Sequence, residues 1–180
     1  RPVDAVGLHV ADHSVAPPFG NVVPTSTLRP SLCLEAEHAW LEGAHLALLP
    51  GARLTGHLHP TAGSGWRLGG ALTARATSGL GPFTELGLEV GVNHTLQGRS
   101  LVFSDGSYES TVDPGRLGAH VGFALGGGVD LGRRTDLPLS VVVTYRWYAQ
   151  SAWLPAVGVG PMGEVGLGVA LRVGRRPREA

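Results

Sequence analysis

Two stretches of the chain alternate between apolar and small or polar residues. In the first, Leu117, Ala119, Val121, Phe123, Leu125, Val129 and Leu131 take alternate places, interrupted at Gly127. Gly118, His120, Gly122, Ala124, Gly126, Gly128 and Asp130 lie between them. In the second, Val165, Leu167, Val169, Leu171 and Val173 interleave with Glu164, Gly166, Gly168, Ala170 and Arg172. A period of two predicts a strand with one apolar face. Strands of about 10–15 residues exceed the usual 5–6 of soluble sheets and match the length a tilted strand needs to cross a bilayer.

The same pattern predicts eight strands, over 3–14, 28–41, 45–59, 65–78, 82–97, 115–131, 138–151 and 162–173. Leu86, Leu88, Val90 and Val92 oppose Glu85, Gly87, Glu89 and Asn93 in the fifth; Val141, Val143, Tyr145 and Trp147 oppose Thr144, Arg146 and Gln150 in the seventh. Pro50 falls inside the third, where it must remove a ladder hydrogen bond or mark a bulge. Short connections (42–44, 79–81, 132–137) alternate with longer or proline-rich ones (15–27, 60–64, 98–114, 152–161). Short turns at one end and long loops at the other are the habit of outer-membrane barrels, and eight strands put both chain ends on the short-turn side. The expected fold is all-β: an eight-stranded antiparallel up-and-down transmembrane β-barrel. Residues 1–174 form its single domain, and 175–180 a basic periplasmic tail.

Alternation alone does not say which face is outward, and a soluble sandwich or lipocalin-like barrel would bury the apolar one. Three features favour the membrane version. The polar face is glycine-rich and carries both signs of charge. The apolar face is nearly free of charge, with His38 and His94 near strand ends. Trp40, Trp66, Phe83, Tyr145, Trp147 and Trp153 are placed as an interfacial aromatic girdle.

Composition adds limits. The formal net charge is zero, so no global field favours nucleic acid. All 14 basic residues are arginine, which reads as codon usage. No run of about 18 apolar residues offers a transmembrane helix. Cys33 is the sole cysteine, on a polar strand face, and is expected to be a quiet thiol. No signal peptide is visible, so Arg1 is taken to lie near a mature terminus, the leader having been removed.

Several short segments occur in order: Leu28-Arg29-Pro30-Ser31-Leu32, Gly91-Val92-Asn93-His94-Thr95, Ser104-Asp105-Gly106-Ser107-Tyr108-Glu109, Pro138-Leu139-Ser140-Val141 and Tyr145-Arg146-Trp147-Tyr148-Ala149-Gln150. Through them the chain, over about residues 19–173, resembles the small eight-stranded outer-membrane barrels of Gram-negative bacteria, the OmpA/OmpW-like group. Within that group it is most similar to barrels of Bacteroidota and Myxococcota type. The resemblance implies the bacterial outer membrane as location and little about activity. It also exposes a departure: such barrels usually end on an aromatic residue, whereas here the last strand ends at Leu171-Arg172-Val173 and a basic tail follows.

The inward face is expected to carry Glu35, Glu37, Glu85, Glu89, Asp130 and Glu164 against Arg53, Arg67, Arg75, Arg146 and Arg172. An eight-stranded barrel is only wide enough for its side chains to fill it, so these charges must pair and close the bore. Neutralising Arg146 alone should then strand a carboxylate. His57 and His59 share a face, as do His9 and His13 beside Asp12, but two imidazoles are a weak metal signal and no metal or other cofactor is expected. Acyl-transfer chemistry needs a nucleophile and a base on one face; His94-Thr95 and Asp12-His13-Ser14 fail by parity, so no enzyme is expected. The loop 98–114, with Phe103, Asp105, Tyr108, Glu109 and Asp113, is the candidate external binding surface. The expected function is a non-enzymatic structural or interaction component of the outer membrane, alone or as a subunit of an assembly, with lipid, lipopolysaccharide and envelope proteins as partners. A small-solute channel is the alternative and a lipid-modifying enzyme the third.

Overall fold

A computed structural model describes residues 4–14, 30–58, 64–96, 99–112, 115–133, 135, 137–154 and 157–172. Backbone alone is described at 12–14, 99–104, 108–112, 133, 152–154, 157–162 and 172. The strands are β1 (Ala5–Ser14), β2 (Pro30–Glu37), β3 (Leu41–Glu42), β4 (Leu46–His57), β5 (Ser64–Thr77), β6 (Pro82–Leu96), β7 (Arg99–Ser104), β8 (Ser107–Val112), β9 (Arg116–Asp130), β10 (Leu139–Leu154) and β11 (Val157–Arg172). Eight of them, β1, β2, β4, β5, β6, β9, β10 and β11, form one antiparallel sheet in chain order. It closes because β1 pairs with both β2 and β11, and β2 with β4. Closure leaves the wall without an edge, as in up-and-down barrels.

The alternation resolves into two surfaces. Val6, Leu8, Val10, Leu32, Leu34, Leu54, Leu68, Leu86, Leu88, Val90, Val121, Leu125, Val143, Val165, Leu167 and Val169 are exposed on the outer wall. Arginines, carboxylates, amides and hydroxyls are buried within. Glycine makes room where strands and side chains converge: a Cβ at Gly69 would lie 2.9 Å from Glu89 Oε1 and 3.1 Å from His120 Nε2. The outer aromatics cluster, with Phe123 stacked on Trp147 at 5.7 Å and Trp66 on His94 at 5.8 Å between centroids. Phe83 departs from the expected girdle. It is only 5% exposed and lies inside the barrel, its ring centroid 4.9 Å from Arg75 Cζ. It shares the parity of Glu85 and Glu89, which turns it inward. Trp153 has no described side chain.

Pro50 does coincide with a bulge. Glu37 pairs with Gly51, but the next pair is Leu41 with Leu48, so 38–40 carry one extra residue. The predicted strand 28–41 therefore breaks after Glu37. Asp4 holds the break together: its Oδ2 accepts from Ala39 N at 2.9 Å and lies 2.9 Å from His38 Nδ1. A bulge opposite a residue that has no N–H spares the ladder a missing donor.

Two expected loops are largely strand. The connection 152–161 narrows to 155–156, since β10 runs to Leu154 and β11 starts at Val157. The loop 98–114 contains the hairpin β7–β8. Its turn is Asp105-Gly106, both with positive φ (51° and 83°), the paired left-handed conformation of a type I′ turn. The hairpin keeps the β6–β9 register: Thr95 pairs with Arg116 below, Arg99 with Val112 above, at the same offset.

Candidate functional site

Among the described residues the barrel interior concentrates the charged side chains, and strand parity puts them there. Glu35 and Glu37 come from β2, Arg53 from β4, Arg67 and Arg75 from β5, Glu85 and Glu89 from β6, Asp130 from β9, Arg146 from β10 and Glu164 from β11. Arg53, Arg67, Arg146, Glu35, Glu37, Glu89, Asp130 and Glu164 are buried.

They divide into three groups along the bore. Near the short turns, Arg75 Nη2 donates to Glu37 Oε2 at 3.1 Å and to Glu85 Oε2 at 3.0 Å. In the middle, Arg53 Nη2 donates to Glu35 Oε1 at 2.8 Å and to Thr73 Oγ1 at 3.2 Å, while its Nη1 reaches Glu89 Oε2 at 3.4 Å. Arg146 Nη2 donates to Glu35 Oε2 at 3.4 Å. Two imidazoles complete the layer: His9 Nε2 is 3.0 Å from Glu35 Oε2, and His120 Nε2 is 3.1 Å from Glu89 Oε1. Toward the long loops, Arg67 donates to Glu164 and lies 4.2 Å over the Tyr148 ring. β5 and β11 stand on opposite sides of the eight-strand ring, so Arg67 and Glu164 span the bore.

Ion pairs are present in each of the three groups. Asp130 is buried beside the short-turn end, where its Oδ1 accepts from Gly132 N at 3.1 Å and shapes the 131–133 turn. Glu35, the partner of Arg146, also meets Arg53 and His9. The side chain of Arg172 lies outside the described residues, as do those of Phe103, Tyr108 and Glu109, and all of Asp113. Asp105 is exposed at the hairpin tip. His59 and the tail 175–180 lie outside the described residues, and the side chains of Asp12 and His13 are not described. Sequence reasoning passed over His9 and His120 as carboxylate partners and Tyr148 as an interior group; each has lumen parity, which was the available signal.

The middle layer contains two carboxylate–imidazole pairs, yet its geometry is that of a plug. Each carboxylate already meets a guanidinium, and His9, Glu35, Glu89 and His120 are all sealed from solvent. Cys33 is opposite His9 in register and only 1% exposed. Among the described residues no group of three or more His, Cys, Asp or Glu could hold a metal ion.

A closed eight-stranded barrel with an apolar exterior and a salt-bridged interior has the architecture of the small outer-membrane barrels. Comparison with solved structures agrees: the chain is similar to the crystal structure of Neisserial surface protein A, with a TM-score of 0.56 and 14% sequence identity, over 94% of this chain and 96% of that one. No family model matches the chain, and no curated protein sequence does.

Proposed function

We propose that the protein is a non-enzymatic, non-conducting outer-membrane barrel that acts as a structural or interaction component, its wall in contact with lipid and its partners met at the long-loop end. The observation that carries this reading is the pairing of an apolar outer wall with a filled, ion-paired bore. Water offers no reason to expose Leu86, Leu88, Val90 and Val92 in a row; hydrocarbon does. The positions that continue this outer parity beyond Leu96 are Gly98, Ser100, Val102 and Ser104, so the unbroken apolar series ends where an outer interface belongs. Inside, Arg67, Tyr148, Gln150 and Glu164 are each at most 1% exposed, which supports a sealed cross-section. Membership of the OmpA/OmpW-like group is the finer form of the same proposal.

Planar-bilayer recording tests the reading. The purified barrel should carry no stable steady current. Uniform, long-lived openings of the wild type would replace this reading with the small-solute channel.

A further inference from the structure

We infer that the outer edge of β7 is a docking site for an extended, basic segment of another protein, bound by strand addition. The inference rests on the interaction reading above and names the surface and partner chemistry for it. The hairpin β7–β8 continues the β6–β9 register past the barrel rim. β6 lies between β5 and β9 in the wall, so β8 covers one side of β7 and the other side faces the line of β5. β5 ends at Ser64, opposite Leu96. Above that level no described strand other than β8 pairs with β7, along six residues or about 20 Å of backbone.

Exposed strand edges are commonly blunted by lysine, proline or a bulge. Arg99-Ser100-Leu101-Val102-Phe103-Ser104 contains none of these, and β7 pairs with β8 without a register shift. Ser104 and Ser107 flank a two-residue turn and so form its hydrogen-bonded pair. By alternation, the backbone groups of Leu101 and Phe103 then point away from β8. A strand entering along the line of β5 would run antiparallel to β7. A second copy in the same membrane cannot supply this with its own β7, because both would point the same way and meet in parallel. Charge selects the partner further. Over residues 99–112 the charged residues are Arg99 at the base and Asp105 and Glu109 beyond it, so the arm has a formal net charge of −1 and favours a basic strand.

The test uses the full chain in zwitterionic nanodiscs and an end-capped octapeptide alternating arginine and valine. Fluorescence anisotropy reads binding, and amide hydrogen exchange maps it. The peptide should bind saturably and slow exchange across 99–104. Methylating alternate peptide amides should weaken binding at least ten-fold, as should Leu101→Pro, which removes an outward N–H while leaving the β8-facing donors in place. Retained pairing at 107–112 and heat-modifiable gel mobility show that Leu101→Pro still folds. Asp105→Asn with Glu109→Gln should remove the preference over a glutamate–valine octapeptide. Absence of protection at 99–104, or equal binding by wild type and Leu101→Pro, overturns the proposal. Bilayer conductance reads the bore instead, so a conducting barrel that still binds through β7 would overturn the closed-bore function and leave this site standing.

Discussion

Removal of Arg67 is the sharpest test of the ion-paired interior. Arg67 is fully buried, Glu164 is 1% exposed, and together they join opposite walls of the ring. Replacing Arg67 with Met keeps volume and removes the charge. Breaking one side of a buried pair typically costs about 3–5 kcal/mol. Arg146→Met provides the internal comparison. Its partner Glu35 retains Arg53 at 2.8 Å and His9 at 3.0 Å, so the expected loss is nearer that of one charged hydrogen bond, about 1.5–2 kcal/mol. Adding Glu164→Gln to Arg67→Met should restore part of the loss, with a coupling of about 1–3 kcal/mol in the double-mutant cycle. Equilibrium urea unfolding in lipid vesicles, followed by tryptophan fluorescence, measures all four variants. No recovery in the double variant would refute the assignment of Arg67 and Glu164 as the cross-bore strut.

Four further outcomes follow from the same structure. Val90 is 65% exposed on the outer wall, so Val90→Arg should cost about 2–4 kcal/mol in lipid. Ser78→Arg, in the exposed turn 78–81, should stay within about 0.5 kcal/mol. The same urea titration checks both. Gly69→Ala should lower stability by about 1–3 kcal/mol through overpacking, because its Cβ would meet Glu89 and His120. Gly106→Ala places a side chain at a φ of 83°, which costs about 1–2 kcal/mol. Hydrogen exchange should then show faster opening of 99–112 with the barrel strands unchanged.

The wall was legible because period-two patterning reports face directly. The predicted 82–97 and 115–131 match Pro82–Leu96 and Arg116–Asp130 to within a residue at each end. Ion pairs across one hairpin were also within reach: Arg75 and Glu85 are direct cross-strand partners around the 78–81 turn. Arg67 with Glu164 was not, since they are far apart in sequence and meet only when the barrel closes at a particular strand stagger. The hairpin β7–β8 was signalled by Asp105-Gly106 between two short alternating runs, but its polar composition made it read as loop. Phe83 was read as girdle by residue type, although its position parity pointed inward. The break after Glu37 depends on Asp4 and on Pro50, which reach residues 38–39 from the strands on either side, and alternation within one strand does not report such contacts.

The central claim is that the even-numbered face of β6 meets lipid and the odd-numbered face meets a sealed, ion-paired interior. Single cysteines placed along 82–96 in a Cys33→Ser background, spin-labelled in reconstituted vesicles, test it most directly. Labels at 86, 88, 90 and 92 should be relaxed by oxygen dissolved in the bilayer and not by a water-soluble nickel chelate. Labels at 87 and 91, where the cysteine is tolerated, should be shielded from both. Nickel-accessible labels at 88 and 90 would contradict it, and would mean that the apolar wall faces water.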